Sequence, residues 1–194
     1  MKQNFIIIDD FYSDPLSCYS TLLDSNNQID IYKDAKDHDC SYEITPKLSY
    51  LLGEPISLDH SFFVVGDANH HQMDELNPDA NIITANTSYE WIAIVYLQLP
   101  FVSCNKFGLK LYSHIKSGME NYNPEIKFDV NNKSEWKEYA SIPTRYNRMV
   151  LFRGDLWHSY GEGYGDQTNN SLIYQKYLIN LVNSKTPSSS YYAS

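Results

Sequence analysis

The sequence is short of the features that assign a class at a glance. Only three cysteines occur in 194 residues, Cys18, Cys40 and Cys104. They are odd in number, widely spaced and form no CxxC pair, which excludes a disulfide framework and the common zinc patterns. They read as reduced thiols in a reducing compartment. Glycine and proline are scarce, eight of each, so little of the chain is low-complexity linker. No apolar run approaches a membrane span, and "FIII" at residues 5–8 is too short for a signal-peptide core with Asp9 and Asp10 directly behind it. The expectation is a cytoplasmic protein with no membrane partner. Positive charge is also in deficit: 15 Lys and Arg stand against 24 Asp and Glu, for a net charge of −9. Without a compact basic stripe, a chain this acidic repels phosphate backbones, and nucleic acid is excluded as a partner.

What remains is enough for one well-packed domain. The hydrophobic fraction is 42% and tyrosine is abundant, with 17 residues suited to strands, pocket walls or a homodimer contact. Residues 1–183 read as a single domain and residues 184–194, "SKTPSSSYYAS", as a flexible tail.

"KQNFIII" opens as a strand. "SDPLSCYSTLLDS" follows as a helix, with Ser13 as cap, Pro15 in the first turn and Leu16, Tyr19, Leu22 and Leu23 on one face. A second helix is expected over "TPKLSYLLG", with Thr45 as cap, Pro46 first and Gly53 ending it. From residue 60 the pattern turns to strands: "HSFFVVG", "NIIT", "EWIAIVYLQL", "GLKLYSH", "NRMVLF" and "SLIYQKYLINLV". In "WIAIVYLQ" both alternating faces are apolar, the mark of a strand covered on both sides. Two helices followed by many antiparallel strands imply an α+β, mainly β domain, a sandwich or open barrel with helices on one side.

Three stretches carry the functional signal. "IITANTSYEWIAIVYL" places Thr84 and Asn86 two residues apart where a short strand runs out. "YNRMVLFRGDLWHSYGEGYGD" ends a strand in the Gly154-Asp155 turn, with His158 just beyond it. "SLIYQKYLI" is a further long strand. Together with "FIIIDDFYSDP", they resemble the 2-oxoglutarate and iron(II)-dependent oxygenases, in particular a branch of short prokaryotic and phage-type proteins. That resemblance implies a double-stranded β-helix, a jelly-roll-like pair of antiparallel sheets with the site between them. It also implies iron held by an H-x-D/E motif and a later histidine, with an arginine clamping 2-oxoglutarate.

Position by position, the match is incomplete. His158 falls on the second histidine. Thr84 stands at the first histidine, Asn86 at the carboxylate and Ser171 at the clamp arginine. The chain has no H-x-D/E motif upstream of His158. Thr84 and Asn86 still share a face, because strand side chains alternate with period two. A hydroxyl and an amide oxygen nevertheless supply neither the charge nor the nitrogen of a tight ferrous site. No metal and no cofactor are expected. Iron(II) and 2-oxoglutarate enter only if the ligands are misaligned or the metal has moved.

Other residues are candidates for the pocket. Tyr96, Tyr112, His114 and Arg148 are candidate ligand contacts, with a surface ion pair the competing role for Arg148. Lys176 lies five positions after Ser171, so in a regular strand it faces the opposite side, whereas Gln175 has the matching parity. His70, His71 and Asp74 could form a relocated metal site, although the surrounding Asn and Pro favour a loop. Gly161, Gly163 and Gly165 read as hinges near the pocket mouth, lacking the lysine of a phosphate loop. Three readings remain open. The chain is a pseudoenzyme binding a small molecule or peptide in the old pocket, an enzyme repurposed around His158, or an iron oxygenase or hydroxylase with displaced ligands.

Overall fold

The computed structural model describes residues 4–22, 41–66, 82–98, 108–160 and 172–182. His38, His70, His71, Asp74, Ser171, Cys40, Cys104, the glycines at 161, 163 and 165, and the tail at 184–194 lie outside them. The elements in chain order are β1 Phe5–Ile8, α1 Pro15–Leu22, α2 Ser41–Leu52, β2 Ile56–Gly66, β3 Trp91–Tyr96 and β4 Gly108–His114. They continue with β5 Trp136–Pro143, β6 Met149–Arg153, β7 His158–Ser159 and β8 Leu172–Leu181.

Five strands form one antiparallel sheet in the order β1-β6-β3-β8-β2, and three form a second in the order β5-β4-β7. The chain changes sheet between β3 and β4, between β5 and β6, and on either side of β7. Hydrophobic alternation explains the layering. On β3, Ile92, Ile94 and Tyr96 face the small sheet and join Leu109, Leu111 and Tyr160 in an interior cluster. The alternate residues Trp91, Ala93 and Val95 join Cys18, Ile44 and Leu48 of the two helices in a second cluster. Every residue of β3 is buried, as its doubly apolar pattern implied.

Local chemistry moves some expected boundaries. Asp14, not Ser13, caps α1: its carboxylate accepts the Ser17 N–H at 3.0 Å. Ser13 instead bonds Glu43, which also holds Lys47 at 2.5 Å, and α2 begins at Ser41, leaving Pro46 inside the helix. Leu16 is exposed, and Cys18 takes the buried position on α1. Strand β5 went unread because only Trp136 and Ile142 of its eight residues are buried, and β7 because it has two residues.

Cys18 is disulfide-bonded, with its partner outside the described residues, which corrects the expectation of three reduced thiols. Wide spacing in sequence says nothing about which thiols meet in space, and the cysteine argument for a reducing compartment falls with it. No helix among the described residues is long and apolar enough to cross a membrane.

One polar tie fixes the N-terminal segment to the sheets. Asn147 is buried at φ 58°, a left-handed conformation that asparagine tolerates. Its side chain accepts the Tyr12 N–H at 2.8 Å and donates to the Tyr12 carbonyl at 3.0 Å. Its backbone N–H donates to Tyr96 O at 2.8 Å. Asn147→Ala is expected to lower stability by about 2–4 kcal/mol, since it strands two buried backbone groups in a strained turn. A loss below about 1 kcal/mol in urea unfolding would show that the tie is dispensable.

Candidate functional site

The site forms where the chain crosses between sheets after β6. The Gly154 turn packs so closely on the 86–90 loop that an added Cβ would lie 2.1 Å from Tyr89 O and 2.5 Å from Asn86 O. Gly154 donates to Glu90 O at 3.0 Å and accepts from Asn86 N–H at 2.8 Å. This joint sets Thr84 directly across from His158, each N–H donating to the other's carbonyl at 2.8 Å. Residues opposite one another in an antiparallel pair share a face, so the side chains of Thr84 and His158 lie on the same side. Ile83, Ala85 and Trp157, of the other parity, belong to a separate cluster on the far side.

His158 is fully buried between Phe152 and Tyr160, with ring centroids at 4.8 and 5.1 Å. Its Nδ1 lies 2.8 Å from Leu156 O; a carbonyl only accepts, so Nδ1 carries the proton. Nε2 is thereby the acceptor, and the Tyr160 hydroxyl donates to it at 3.2 Å. Desolvation pulls the imidazole from 6.5 down to about 3, opposed by the Leu156 hydrogen bond and assisted by the nearby Lys176 charge. His158 is therefore neutral at physiological pH.

This shift fixes a pH dependence. The folded-state value lies below the unfolded one, so between about 3 and 6.5 the unfolded chain binds the extra proton. Stability from this residue is complete above 6.5 and is lost as pH falls toward 3. Over that window His158 contributes a slope of up to about 1.4 kcal/mol per pH unit. His158→Asn, which can keep the bond to Leu156 O, is expected to flatten acid unfolding measured by urea midpoints. An unchanged slope would mean that His158 is not buried as a neutral ring.

Around His158 the interior is aromatic. Tyr160 stacks on Tyr174 at 5.9 Å and 18°, and Tyr174 meets Tyr96 edge-on at 6.1 Å. The Tyr96 hydroxyl accepts the Leu109 N–H at 3.0 Å, tying β3 to β4. Desolvation pushes the phenols of Tyr160 and Tyr174 well above their ordinary range. Lys176 also lies here, 3% exposed, with Nζ 4.4 Å from the centre of the Tyr160 ring. That corrects the expected orientation. Ser171 lies outside the described residues, and Leu172, Tyr174 and Leu178 put the interior on the even positions of β8. Gln175 is the residue turned toward the helices, where it accepts the Tyr12 hydroxyl at 2.8 Å.

Other expected pocket residues lie elsewhere. Arg148 grips Asp9 through Nε at 2.6 Å and a second nitrogen at 3.1 Å, and donates to Pro143 O at 2.9 Å. The guanidinium hydrogen bond holds the Asp9 carboxyl below its usual range. Tyr112 bonds Ser159 at 3.1 Å and packs with the outer Trp136 and Trp157 cluster. His114 bonds Ser117 at 2.9 Å and sits between Phe128 and Trp136. Neither is grouped with His158. Sequence reasoning missed Tyr160, Tyr174 and Gln98; the even-position run Leu172, Tyr174, Lys176, Leu178 held the available signal.

The fold is a double-stranded β-helix. The chain is similar to the crystal structure of the non-heme alpha ketoglutarate dependent epimerase SnoN from nogalamycin biosynthesis, with TM-score 0.57 and 11% identity over 97% of this chain and 84% of that one. It is also similar to HygX from Streptomyces hygroscopicus with iron bound, with TM-score 0.52 and 11% identity over 94% and 84%. AviO1 from Streptomyces viridochromogenes Tue57 gives TM-score 0.54 and 10% identity over 97% and 94%. No family model and no curated protein matches the sequence.

The residues that the family resemblance aligns with iron ligands are a poor donor set for ferrous iron. Thr84 offers a hydroxyl, Asn86 spends its amide oxygen on the Ser88 N–H at 3.1 Å, and the His158 Nε2 receives a phenol proton. Among the described residues, no three His, Cys, Asp or Glu side chains come together as a metal site.

Proposed function

We propose that this protein is a ligand-binding derivative of the oxygenase fold whose chemistry does not run through iron. The observation that carries the reading is the state of His158: the one retained ligand position has its donor nitrogen engaged by Tyr160, and the positions beside it carry a hydroxyl and an amide. Two imidazoles and a carboxylate supply the donors and the charge of a facial ferrous site; this set supplies one neutral nitrogen. The ligand is a small molecule seated against the aromatic interior between the sheets. Neither iron nor 2-oxoglutarate is its cofactor.

The test is metal analysis of protein purified from iron-supplemented culture, followed by calorimetric titration with Ni(II). The expected result is substoichiometric iron, no saturable Ni(II) binding below millimolar concentration, and no succinate from 2-oxoglutarate. Near-stoichiometric iron or tight Ni(II) binding by the unmodified chain overturns the reading, whether or not a His158→Ala variant folds.

A further inference from the structure

A crevice opens beyond the end of β4, on a loop that the interior site does not use. Residues 119–124 line about 280 Å³ of open space there. Their backbone is pinned to two other segments. The Trp157 N–H donates to Glu120 O at 3.0 Å, and the Tyr122 N–H donates to Asp155 O at 2.8 Å. The His114 N–H of β4 donates to Met119 O at 2.8 Å. These bonds set the shape of the crevice before any ligand arrives, which lowers the ordering cost of binding.

The side chains are equipped beyond what a connecting loop requires. Tyr122 is 40% exposed, and its ring meets Trp157 edge-on at 5.7 Å. Trp157 packs in turn on Phe128 and Trp136 at 5.0 and 4.7 Å, so the exposed ring rests on a fixed aromatic base. The polar groups beside it are unspent. Among the described residues, the Glu120 carboxylate and the Asn121 amide make no hydrogen bond or ion pair. Asn123 uses only its Oδ1, which accepts the Glu125 N–H at 3.0 Å. Burial, and after it the Glu120 charge, push the Tyr139 phenol up to about 12, so β5 adjoins the same carboxylate.

These groups sort the occupants by chemistry. An anion would meet a carboxylate in a chain of net charge −9 and is repelled. A cation would suit Glu120 and the Tyr122 ring, yet it offers nothing to the amide donors of Asn121 and Asn123. An apolar molecule leaves all three polar groups unanswered. A hydroxyl both donates and accepts, so a neutral polyol answers carboxylate and amides together. The C–H groups on one face of a pyranose ring also cover an exposed tyrosine.

We propose that residues 119–124 form a binding site for a neutral hexosyl unit, with Tyr122 as its platform and Glu120, Asn121 and Asn123 as its hydroxyl partners. The site stands apart from the interior around His158, because Trp157 beneath it belongs to the outer aromatic cluster. It therefore holds whether or not that interior takes a ligand. A small sugar on an open crevice makes few contacts, so the affinity is roughly millimolar.

The experiment titrates the full, ¹⁵N-labelled chain with methyl β-glucopyranoside and methyl β-galactopyranoside up to about 50 mM, following backbone amide signals by NMR. Tetramethylammonium and acetate serve as the cationic and anionic comparisons. The expected result is saturable shifts of the residue 119–124 signals with at least one glycoside. Tyr122→Ala should raise the half-saturating concentration at least about tenfold and Glu120→Ala about threefold, while Tyr122→Phe, which keeps the ring, stays close to the parent. Tyr122 is exposed, and each spectrum reports directly whether its variant has folded. No saturable shift in residues 119–124 with either glycoside overturns the proposal, as does undiminished binding by Tyr122→Ala. Saturation by tetramethylammonium or acetate in place of the glycosides overturns the ligand class.

Discussion

Thr84→His and Asn86→Asp, combined with Tyr160→Phe, are expected to raise Ni(II) or Mn(II) affinity by at least about a hundredfold over the unmodified chain. The backbone frame is already in place, because Thr84 is bridged to His158 and Asn86 is bonded to Gly154. Only the donors change: an imidazole and a carboxylate join His158, and loss of the Tyr160 hydroxyl frees Nε2. A carboxylate has two oxygens, so one can keep the Ser88 N–H while the other meets the metal. The double variant retaining Tyr160 should fall between the unmodified chain and the triple variant, because the phenol still competes for Nε2. Calorimetry and the electron paramagnetic resonance spectrum of bound Mn(II) would read the result. A triple variant that melts within a few degrees of the parent yet binds no more tightly would show that the three positions do not converge.

Lys176→Met should flatten the dependence of stability on pH above neutrality. The physical cause is desolvation. Lys176 titrates at about 7 when folded and at 10.5 otherwise, so across that interval the unfolded chain holds the extra proton. The penalty is full below 7 and is relieved as pH rises toward 10.5; the parent should therefore gain stability between those values while the methionine variant stays flat. Methionine matches the stem of lysine closely enough to fill the space beside Tyr160. Urea unfolding at a series of pH values measures both effects. Parallel pH profiles would mean that burial does not hold the amine below its ordinary range.

Much of the architecture was legible because it is written in short-range patterns. The doubly apolar "WIAIVYLQ" announced a central strand, and "GLKLYSH" matched β4 at both ends. The bridge between Thr84 and His158 joins residues far apart in sequence, and only the family resemblance pointed to it. Failures came where pairing partners lie far apart in sequence. Arg148 meets Asp9 across 139 positions, and Tyr12 meets Asn147 across 135. No local pattern encodes such a pair. Lys176 shows a subtler case: alternation relates it to Tyr174 and Leu178, but only the packing of those residues against the second sheet makes their face the interior one.

The sequence by itself determined the alternation of the strands, the net negative charge, and the identities of the side chains at positions 84, 86 and 158. Those follow from residue type and spacing, which need no tertiary contact. Only the tertiary structure decided that the Tyr160 phenol faces His158, that Lys176 points inward, and that Arg148 is engaged with Asp9. Each depends on how one sheet lies over the other, because hydrogen bonds and desolvation act over a few ångströms of space, however many residues of chain intervene.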